Sequence, residues 1–174
     1  MTGAAQIHAY DAVSTVVGQG TLFAEWERQG LDADTILIAV GGGGLIAGAL
    51  AWFGSRKKIV AVEPERAPTL NNAMTAGKPV DVDVSGVAAN ALGARKIGQI
   101  CFGLARQFGV ESVTVPDAEI VGAQKVLWQE MRQLVEPAGA TAMAALTSGR
   151  WVPWKGEKVA VLVCGGNLSE EPFG

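Results

Sequence analysis

Four consecutive glycines, Gly41 to Gly44, are the residues of this chain whose type and spacing best suit anion binding. They follow an uncharged run from Ile36 that predicts a buried strand, and they precede an apolar run, Leu45 to Phe53, that predicts a short helix. A strand, a glycine turn and a helix together present backbone N–H groups and the positive end of the helix. Because glycine has no Cβ, a phosphate could approach this backbone closely. The same pattern also fits a tight or flexible connection that binds nothing.

Two further residues stand in contexts that suit a binding site. Cys164 follows an apolar run, Lys158 to Val163, and is itself followed by Gly165 and Gly166. Ligands of parallel sheets bind where the carboxyl ends of the strands meet, so we expect both glycine-rich turns at that edge. Glu136 directly precedes a proline that predicts the first turn of a helix. Each residue also has a simpler interpretation, Cys164 as a small buried thiol and Glu136 as a carboxylate that favours the positive end of its helix.

The glycine turn also matches the pattern of dinucleotide-binding folds. Residues Gly42 to Ala47 satisfy G-x-G-x-x-A, and Glu63 ends the next apolar run. That fingerprint places an acidic residue about 20 positions further on, where it holds the ribose hydroxyls. This alternative predicts an NAD-type dinucleotide-binding domain, but it leaves Glu136 and Cys164 without a role.

Several motifs occur in the order in which a known enzyme family has them. They are GGGGL at 41–45, EPAGA at 136–140, VCGGN at 163–167, VAVEP at 60–64, VGQGT at 17–21 and the stretch at 86–98. Together they resemble the threonine/serine dehydratases, pyridoxal-phosphate enzymes of the tryptophan-synthase-β fold (fold type II). The similarity runs from about Ile7 to the end of the chain, and several motifs in register are more specific than one glycine pattern.

The resemblance implies a role for each motif. The glycine turn would hold the phosphate of pyridoxal phosphate through backbone amides, Glu136 would lie near the cofactor ring, and Cys164 would contact the pyridine nitrogen. A thiol does not force protonation of that nitrogen, which suits β-elimination of a hydroxy amino acid to a 2-oxo acid and ammonia. The cofactor-binding residues implied are Gly41, Gly42, Gly43, Gly44, Leu45, Glu136, Cys164 and Gly165.

The resemblance also suggests a cation site, which some members of the family contain. Glu63 and the carbonyl of Ala67 match two of its ligands. Thr69 stands where a further acidic ligand is expected, which argues against a divalent ion. The alternative for Glu63 is an ordinary carboxylate at the end of a strand.

The catalytic lysine of the family lies in an N-terminal Ser-x-Lys motif followed by an asparagine-containing loop, and no lysine of this chain has that context. That lysine binds the cofactor covalently and moves the α-proton. We therefore assign no catalytic residue, and we expect the isolated chain to be inactive and to bind pyridoxal phosphate weakly or not at all. A non-catalytic binding or assembly module derived from a gene fragment is an alternative.

The elements that position these motifs alternate along the chain. Apolar runs predict strands at 36–41, 58–63, 111–115 and 158–163, and helical patterns predict helices at 10–29, 45–53, 67–77, 94–108, from 116 onward and between 137 and 149. Residues 78–93 show no periodicity and predict a short edge strand or an extended loop. The alternation predicts a three-layer α-β-α domain with a mainly parallel sheet over residues 1–174. By the resemblance it is part of the large domain of the tryptophan-synthase-β-like fold.

Composition and charge narrow the classes of function. Hydrophobic residues form 49% and charged residues 18% of the chain, which indicates a globular protein. A net charge of −3 with scattered lysines and arginines argues against nucleic-acid binding. No apolar run reaches the roughly 18 residues of a membrane span, and no secretory signal is visible, so we expect a cytoplasmic protein. Absence of the family's small domain would expose apolar surface, so we expect a homo-oligomer or a complementing N-terminal-half chain.

Overall fold

The apolar runs form a four-stranded sheet at the centre of the molecule. The structure is a computed structural model that describes residues 7–168. The strands are β1 (Thr35–Ala39), β2 (Lys58–Pro64), β3 (Glu111–Val115) and β4 (Val159–Val161). Their order across the sheet is β3-β2-β1-β4, and all three strand pairs are parallel. The predicted α/β class with a parallel sheet is confirmed.

Seven helices cover the two faces of this sheet in the described part of the chain. They are α1 (Val13–Arg28), α2 (Gly44–Phe53), α3 (Thr69–Ala76), α4 (Ala89–Leu92), α5 (Gln99–Phe108), α6 (Asp117–Met131) and α7 (Pro137–Thr147). Helices α1, α2, α3 and α5 contribute to one apolar cluster, and α4, α6 and α7 contribute to the other. None of these helices, over residues 7–168, combines the length and apolarity needed to traverse a bilayer.

Strand β1 has no polar face because both of its faces are buried. Ile36 and Ile38 point into the first cluster, whereas Leu37 and Ala39 point into the second. Every residue of β1 is buried, because neighbouring strands flank it and helices cover both faces. The carboxyl end of β1 therefore opens directly onto the glycine turn.

Helices α1 and α2 cross with their backbones in contact. A Cβ added to Gly48 would lie 2.7 Å from the backbone nitrogen of Gly20 and 2.8 Å from the carbonyl carbon of Gln19. Only glycine at position 48 allows this approach. Within α1, Gly20 lies at this contact, whereas Gly18 has open space around its Cβ position.

Two sequence predictions about helices are wrong. Helix α5 begins at Gln99 and not at Ala94, because the Asp11 carboxylate accepts the N–H of Ile100 at 3.0 Å and caps the helix there. The apolar stripe of the helix predicted from 116 onward extends to Leu134, but Leu134 is 41% exposed and lies beyond α6, which ends where Arg132 adopts a φ of 55°. For residues 78–93 the sequence predicts a short edge strand or an extended loop; the loop is observed at 79–85, and the short helix α4 follows it.

Candidate functional site

A pocket of about 320 Å³ opens at the carboxyl end of β1. The glycine turn forms one wall, and Glu136 and Cys164 from the segments around α7 and β4 lie in the same lining. Of the residues predicted from sequence, Gly41, Gly42, Gly43, Gly44, Leu45, Glu136 and Cys164 line this pocket. Gly165 does not line it and contacts Glu136 behind the wall. The structure thus brings together motifs that lie about 90 to 120 residues apart in sequence.

Each of the first three glycines of the turn packs against a different element. Gly43 has a φ of 91°, and a Cβ there would lie 2.5 Å from the Sγ of Cys101. A Cβ on Gly42 would overlap the ring of Tyr10, and one on Gly41 would lie 2.8 Å from the Cα of Leu92. The turn is therefore held from several sides, and glycine is required by space as well as by backbone conformation.

The carbonyl groups of the first three glycines are all engaged by protein donors. The Gly41 carbonyl accepts the hydroxyl of Thr69 at 2.6 Å, and the Gly42 carbonyl accepts the N–H of Gly98 at 3.0 Å. The Gly43 carbonyl accepts the N–H of Ala47 at 2.9 Å. Each carbonyl of these three glycines is thereby engaged by one donor of the protein.

The N–H groups that follow the turn, unlike its carbonyls, are not engaged by the described part of the protein. The N–H groups of Gly44, Leu45 and Ile46 lie in the first turn of α2 and find no acceptor among residues 7–168. The N-cap residue, Gly43, has no side chain to satisfy them. Free donors and the positive end of a helix, with no competing acceptor, favour an anion at this wall of the pocket.

The opposite wall depends on a contact between Glu136 and Gly165. The N–H of Glu136 donates to the Gly165 carbonyl at 3.0 Å, while the Glu136 carbonyl accepts the N–H of Gly139 at 2.9 Å and starts α7. Gly165 has a φ of 51°, and a Cβ there would overlap the Glu136 carboxylate. This contact ties the segment after β4 to the start of α7 and fixes the position of Cys164 at the pocket.

The thiol of Cys164 is protonated at neutral pH. Desolvation, and in second place the negative charge of the Glu136 carboxylate, raises the pKa of Cys164 above its ordinary value of 9.0. The group that Cys164 presents to the pocket is therefore a neutral thiol, a weak hydrogen-bond donor and acceptor, and not a thiolate.

Glu63 lies outside this pocket, and its side chain is hydrogen-bonded within the protein interior. It is fully buried at the end of β2 and accepts the N–H groups of Leu70 at 2.7 Å and Asn71 at 2.8 Å. The hydroxyls of Thr69 and Ser112 lie 3.1 Å from its oxygens. Burial raises the pKa of Glu63. Its carboxylate faces α3, so it is not presented to a ribose as the dinucleotide fingerprint requires.

The two residues suggested for a cation fit a divalent ion poorly. The carbonyl of Ala67 accepts the N–H of Thr69 at 3.1 Å, and the Glu63 oxygens are surrounded by donors. Within residues 7–168, no three His, Cys, Asp or Glu side chains lie together as a metal site would need. The Glu63 and Ala67 site stays a prediction that this geometry does not favour.

Sequence reasoning missed the residues that support the turn from outside its motif. Tyr10 and Leu92 line the pocket, and Thr69 holds the first carbonyl of the turn. The only sequence signal for these supporting contacts is an aromatic residue followed by an acid, Tyr10 and Asp11, shortly before α1. It could not be interpreted from sequence, because Asp11 caps a helix 89 positions away.

Comparisons with known proteins agree with the family resemblance of the sequence motifs. The family model described as "Pyridoxal-phosphate dependent enzyme" matches residues 1–165. Phenylserine dehydratase of Ralstonia pickettii is 33% identical over 96% of this chain and 52% of its own length. L-threonine ammonia-lyase of Geobacter sulfurreducens is 36% identical over 95% of this chain and 42% of its own length. The chain therefore spans about half, or less, of the length of these curated relatives.

Solved structures show the same fold. A threonine deaminase from T.th. matches with a TM-score of 0.85 and 31% identity, over 98% of this chain and 63% of that protein. Maize serine racemase matches with a TM-score of 0.88 and 31% identity, over 96% of this chain and 54% of that protein. The predicted tryptophan-synthase-β-like fold is thereby confirmed.

Proposed function

The chain belongs to the pyridoxal-phosphate-dependent enzymes, as a threonine dehydratase-like domain, and on that premise we propose that it is the cofactor-binding part of a serine/threonine dehydratase. The observation that carries the proposal is the convergence of the glycine turn, Glu136 and Cys164 on one pocket. The complete reaction is the β-elimination of a hydroxy amino acid to a 2-oxo acid and ammonia. We propose that this chain alone does not perform it.

The glycine turn is proposed as the phosphate site. The N–H groups of Gly44, Leu45 and Ile46 have no acceptor within residues 7–168, and the carbonyls of the turn are already engaged. A phosphate monoester needs donors, a positive environment and close backbone approach, and this wall offers all three. The residues present thus fit the phosphate of the family's cofactor.

Cys164 and Glu136 are proposed to meet the cofactor ring. When bound, pyridoxal phosphate supplies the electron sink for bond breaking next to the amino nitrogen of its substrate. The neutral thiol of Cys164 can form a hydrogen bond with a pyridine nitrogen without placing a negative charge beside it. Glu136 holds the segment that carries Cys164, because its N–H donates to Gly165.

The pocket contains no lysine, although all seven lysines of the chain lie among the described residues. Lys57 and Lys58 stand at the amino end of β2, and Lys158 directly precedes β4, so these three lie at the sheet edge opposite the pocket. The covalent attachment and the α-proton transfer therefore need a lysine that residues 7–168 do not place at this pocket. We propose a complementing lysine-bearing chain, with a small amino acid as substrate only in the completed enzyme, and a cytoplasmic location.

The phosphate assignment is tested by NMR titration of the 15N-labelled chain. Pyridoxal phosphate and inorganic phosphate should both shift the amides of Gly44, Leu45 and Ile46, whereas pyridoxal without phosphate should not. Borohydride reduction followed by peptide mass mapping should give scattered lysine adducts of low yield. Equal shifts with pyridoxal, or one stoichiometric lysine adduct, would contradict the proposal.

A non-catalytic binding or assembly module is the second candidate, and the absence of a lysine from the pocket favours it equally. The two candidates differ once the missing part is supplied. A dehydratase half should release 2-oxo acid from serine or threonine when it is mixed with a lysine-bearing polypeptide of the family, whereas a binding module should not.

A further inference from the structure

The VGQGT motif at 17–21 places a polar side chain, Gln19, at the pocket of the glycine turn. Gln19 belongs to α1, yet it lines the same pocket as Gly44, Leu45 and Ile46, the first residues of α2. The contacts proposed above for the phosphate and for the cofactor ring do not include it.

The crossing of α1 and α2 determines where Gln19 lies. A Cβ added to Gly48 would lie 2.8 Å from both the Cβ and the carbonyl carbon of Gln19, so the two helix backbones touch at this point. Gly48 follows Gly44 by four positions, and residues four apart share one face of a helix, about one turn of 5.4 Å from each other. Gln19 is therefore held about one turn from the N–H groups that begin α2, and its side chain reaches the pocket there.

The side-chain amide of Gln19 is not engaged by the described part of the protein. On the same helix, the hydroxyls of Thr15 and Thr21 each donate to a backbone carbonyl at 2.7 Å, whereas the Gln19 amide has no hydrogen-bond partner among residues 7–168. A glutamine amide carries two N–H donors. The pocket therefore contains a neutral side-chain donor beside the unengaged N–H groups of α2.

The charges around the pocket make such a donor important for an anion. Among residues 7–168, no Lys, Arg or His lines this pocket, and its one charged side chain is Glu136 on the opposite wall. A phosphate bound here is therefore held by neutral donors, and each of these bonds is strengthened because its acceptor is charged. Of the four polar side chains in the lining (Tyr10, Gln19, Glu136 and Cys164), Gln19 alone offers two N–H donors.

We propose that the side chain of Gln19 is a ligand of the phosphate group and donates an N–H from α1 to the anion that the first turn of α2 binds. The assignment rests on the phosphate site proposed above and adds a side-chain ligand to its backbone donors. It also gives the VGQGT motif a function, because the close approach that Gly48 allows positions Gln19 at the pocket.

The test is an NMR titration of the full 15N-labelled chain with inorganic phosphate and with pyridoxal phosphate. Both ligands should shift the side-chain amide signals of Gln19 together with the backbone amides of residues 44–46. Gln19→Met keeps the size of the side chain and removes its donors, so the dissociation constant for phosphate should rise about tenfold, as expected for a hydrogen bond to a charged group. Gln19→Glu also keeps the size but places a negative charge beside the anion, so at neutral pH its effect should exceed that of Gln19→Met.

Gln107→Glu is the matched control, because it adds the same charge to an exposed position of α5 outside the pocket and should leave the affinity nearly unchanged. Thermal unfolding of each variant checks that a loss of affinity does not come from a loss of structure. The shift of the Gln19 side-chain signals is measured in the native chain and depends on no variant.

Two results would separate the role of Gln19 from the phosphate site itself. Shifts at residues 44–46 with unmoved Gln19 side-chain signals, or equal affinities of the native chain and Gln19→Glu, would overturn the role of Gln19 and leave the phosphate site in place. No shift at these backbone amides with either ligand would overturn the phosphate site, and the assignment of Gln19 with it.

Discussion

Thr69 donates its hydroxyl to the carbonyl oxygen of Gly41 over 2.6 Å, and this bond joins the buried Glu63 to the glycine turn. Thr69 is the first residue of α3 and is fully buried. Its hydroxyl keeps the first carbonyl of the turn directed away from the pocket. The anion binding that we propose for the turn therefore depends on a residue that does not line the pocket.

Replacing Thr69 by valine should remove this bond and leave the Gly41 carbonyl without a donor. A buried acceptor left unsatisfied costs about 1–3 kcal/mol, so we expect a loss of that size in the free energy of unfolding measured with urea. Thr75→Val, which removes an exposed hydroxyl from the same helix, is the control and should change stability much less. Equal effects of the two variants would argue against the role of the Thr69 bond.

Gly43→Ala should destabilise the chain, because position 43 combines a φ of 91° with a Cβ position only 2.5 Å from the Cys101 sulfur. The backbone strain alone amounts to about 1–3 kcal/mol. Gly103→Ala is the matched control, since it lies within α5 with open space around its Cβ, and alanine there should stabilise the helix by about 0.5–1 kcal/mol. Thermal unfolding of both variants checks the opposite signs.

Adding Cys101→Ala to Gly43→Ala isolates the contact with the Cys101 sulfur. Alanine at position 101 removes the sulfur, but its Cβ and the Cδ1 of Ile97, each 2.7 Å from the new Cβ, and the strained backbone remain. We therefore expect the double variant to recover part of the lost stability relative to Cys101→Ala alone. Full recovery would mean that the backbone conformation at position 43 contributes nothing.

Glu63 should make stability depend on pH. Burial raises the pKa of Glu63 above its ordinary value of 4.5, so the folded chain holds this proton more tightly than the unfolded chain does. The stabilisation from that proton is present below pH 4.5 and is lost as the pH rises through the raised folded-state pKa. Urea unfolding between pH 4 and 8 should show this decline in the native chain and a flatter profile in Glu63→Gln. Parallel profiles would contradict the assignment, and Glu130→Gln, an exposed carboxyl, serves as the control.

Alkylation with iodoacetamide should report the environment of Cys164. Because desolvation and the Glu136 carboxylate raise its pKa, we expect slow labelling at pH 8 relative to a free thiol. Glu136→Gln removes the second cause and should accelerate labelling in part, while desolvation persists. Burial raises the pKa of Cys101 to about 12, so labelling of the folded chain should be lost in Cys164→Ser. Labelling that is unchanged by Glu136→Gln would exclude a charge effect.

Sequence reasoning works best where one local signal decides the structure. The prediction of β3 at 111–115 matches the observed bounds, because a proline and a glycine flank a short β-branched run. The resemblance likewise identifies Glu136 and Cys164, which the fold brings to the pocket of the glycine turn. The local sequence does not show that β4 lies beside a gap between α1 and α6. That gap depends on how the two helices extend beyond the sheet.

The errors come from contacts between distant residues. The start of α5 depends on Asp11, and the surroundings of Glu63 depend on Thr69 and Ser112. From sequence, Glu63 is equally consistent with a cation ligand, a ribose acceptor and a strand-end acid. Only the direction of its side chain toward α3 distinguishes these, and side-chain direction is a tertiary property.

Because the carbonyls of the glycine turn are engaged, we expect the turn to prefer one ionic form of a phosphate ester. The second ionisation of a phosphate monoester occurs near a pH of about 6. A dianion offers only acceptors and complements the free N–H groups of Gly44, Leu45 and Ile46. A monoanion carries an O–H, and the carbonyls of Gly41, Gly42 and Gly43 are each already engaged by a protein donor. If the turn binds a phosphate ester as we propose, we expect it to favour the dianion and to bind the ester best near neutral pH.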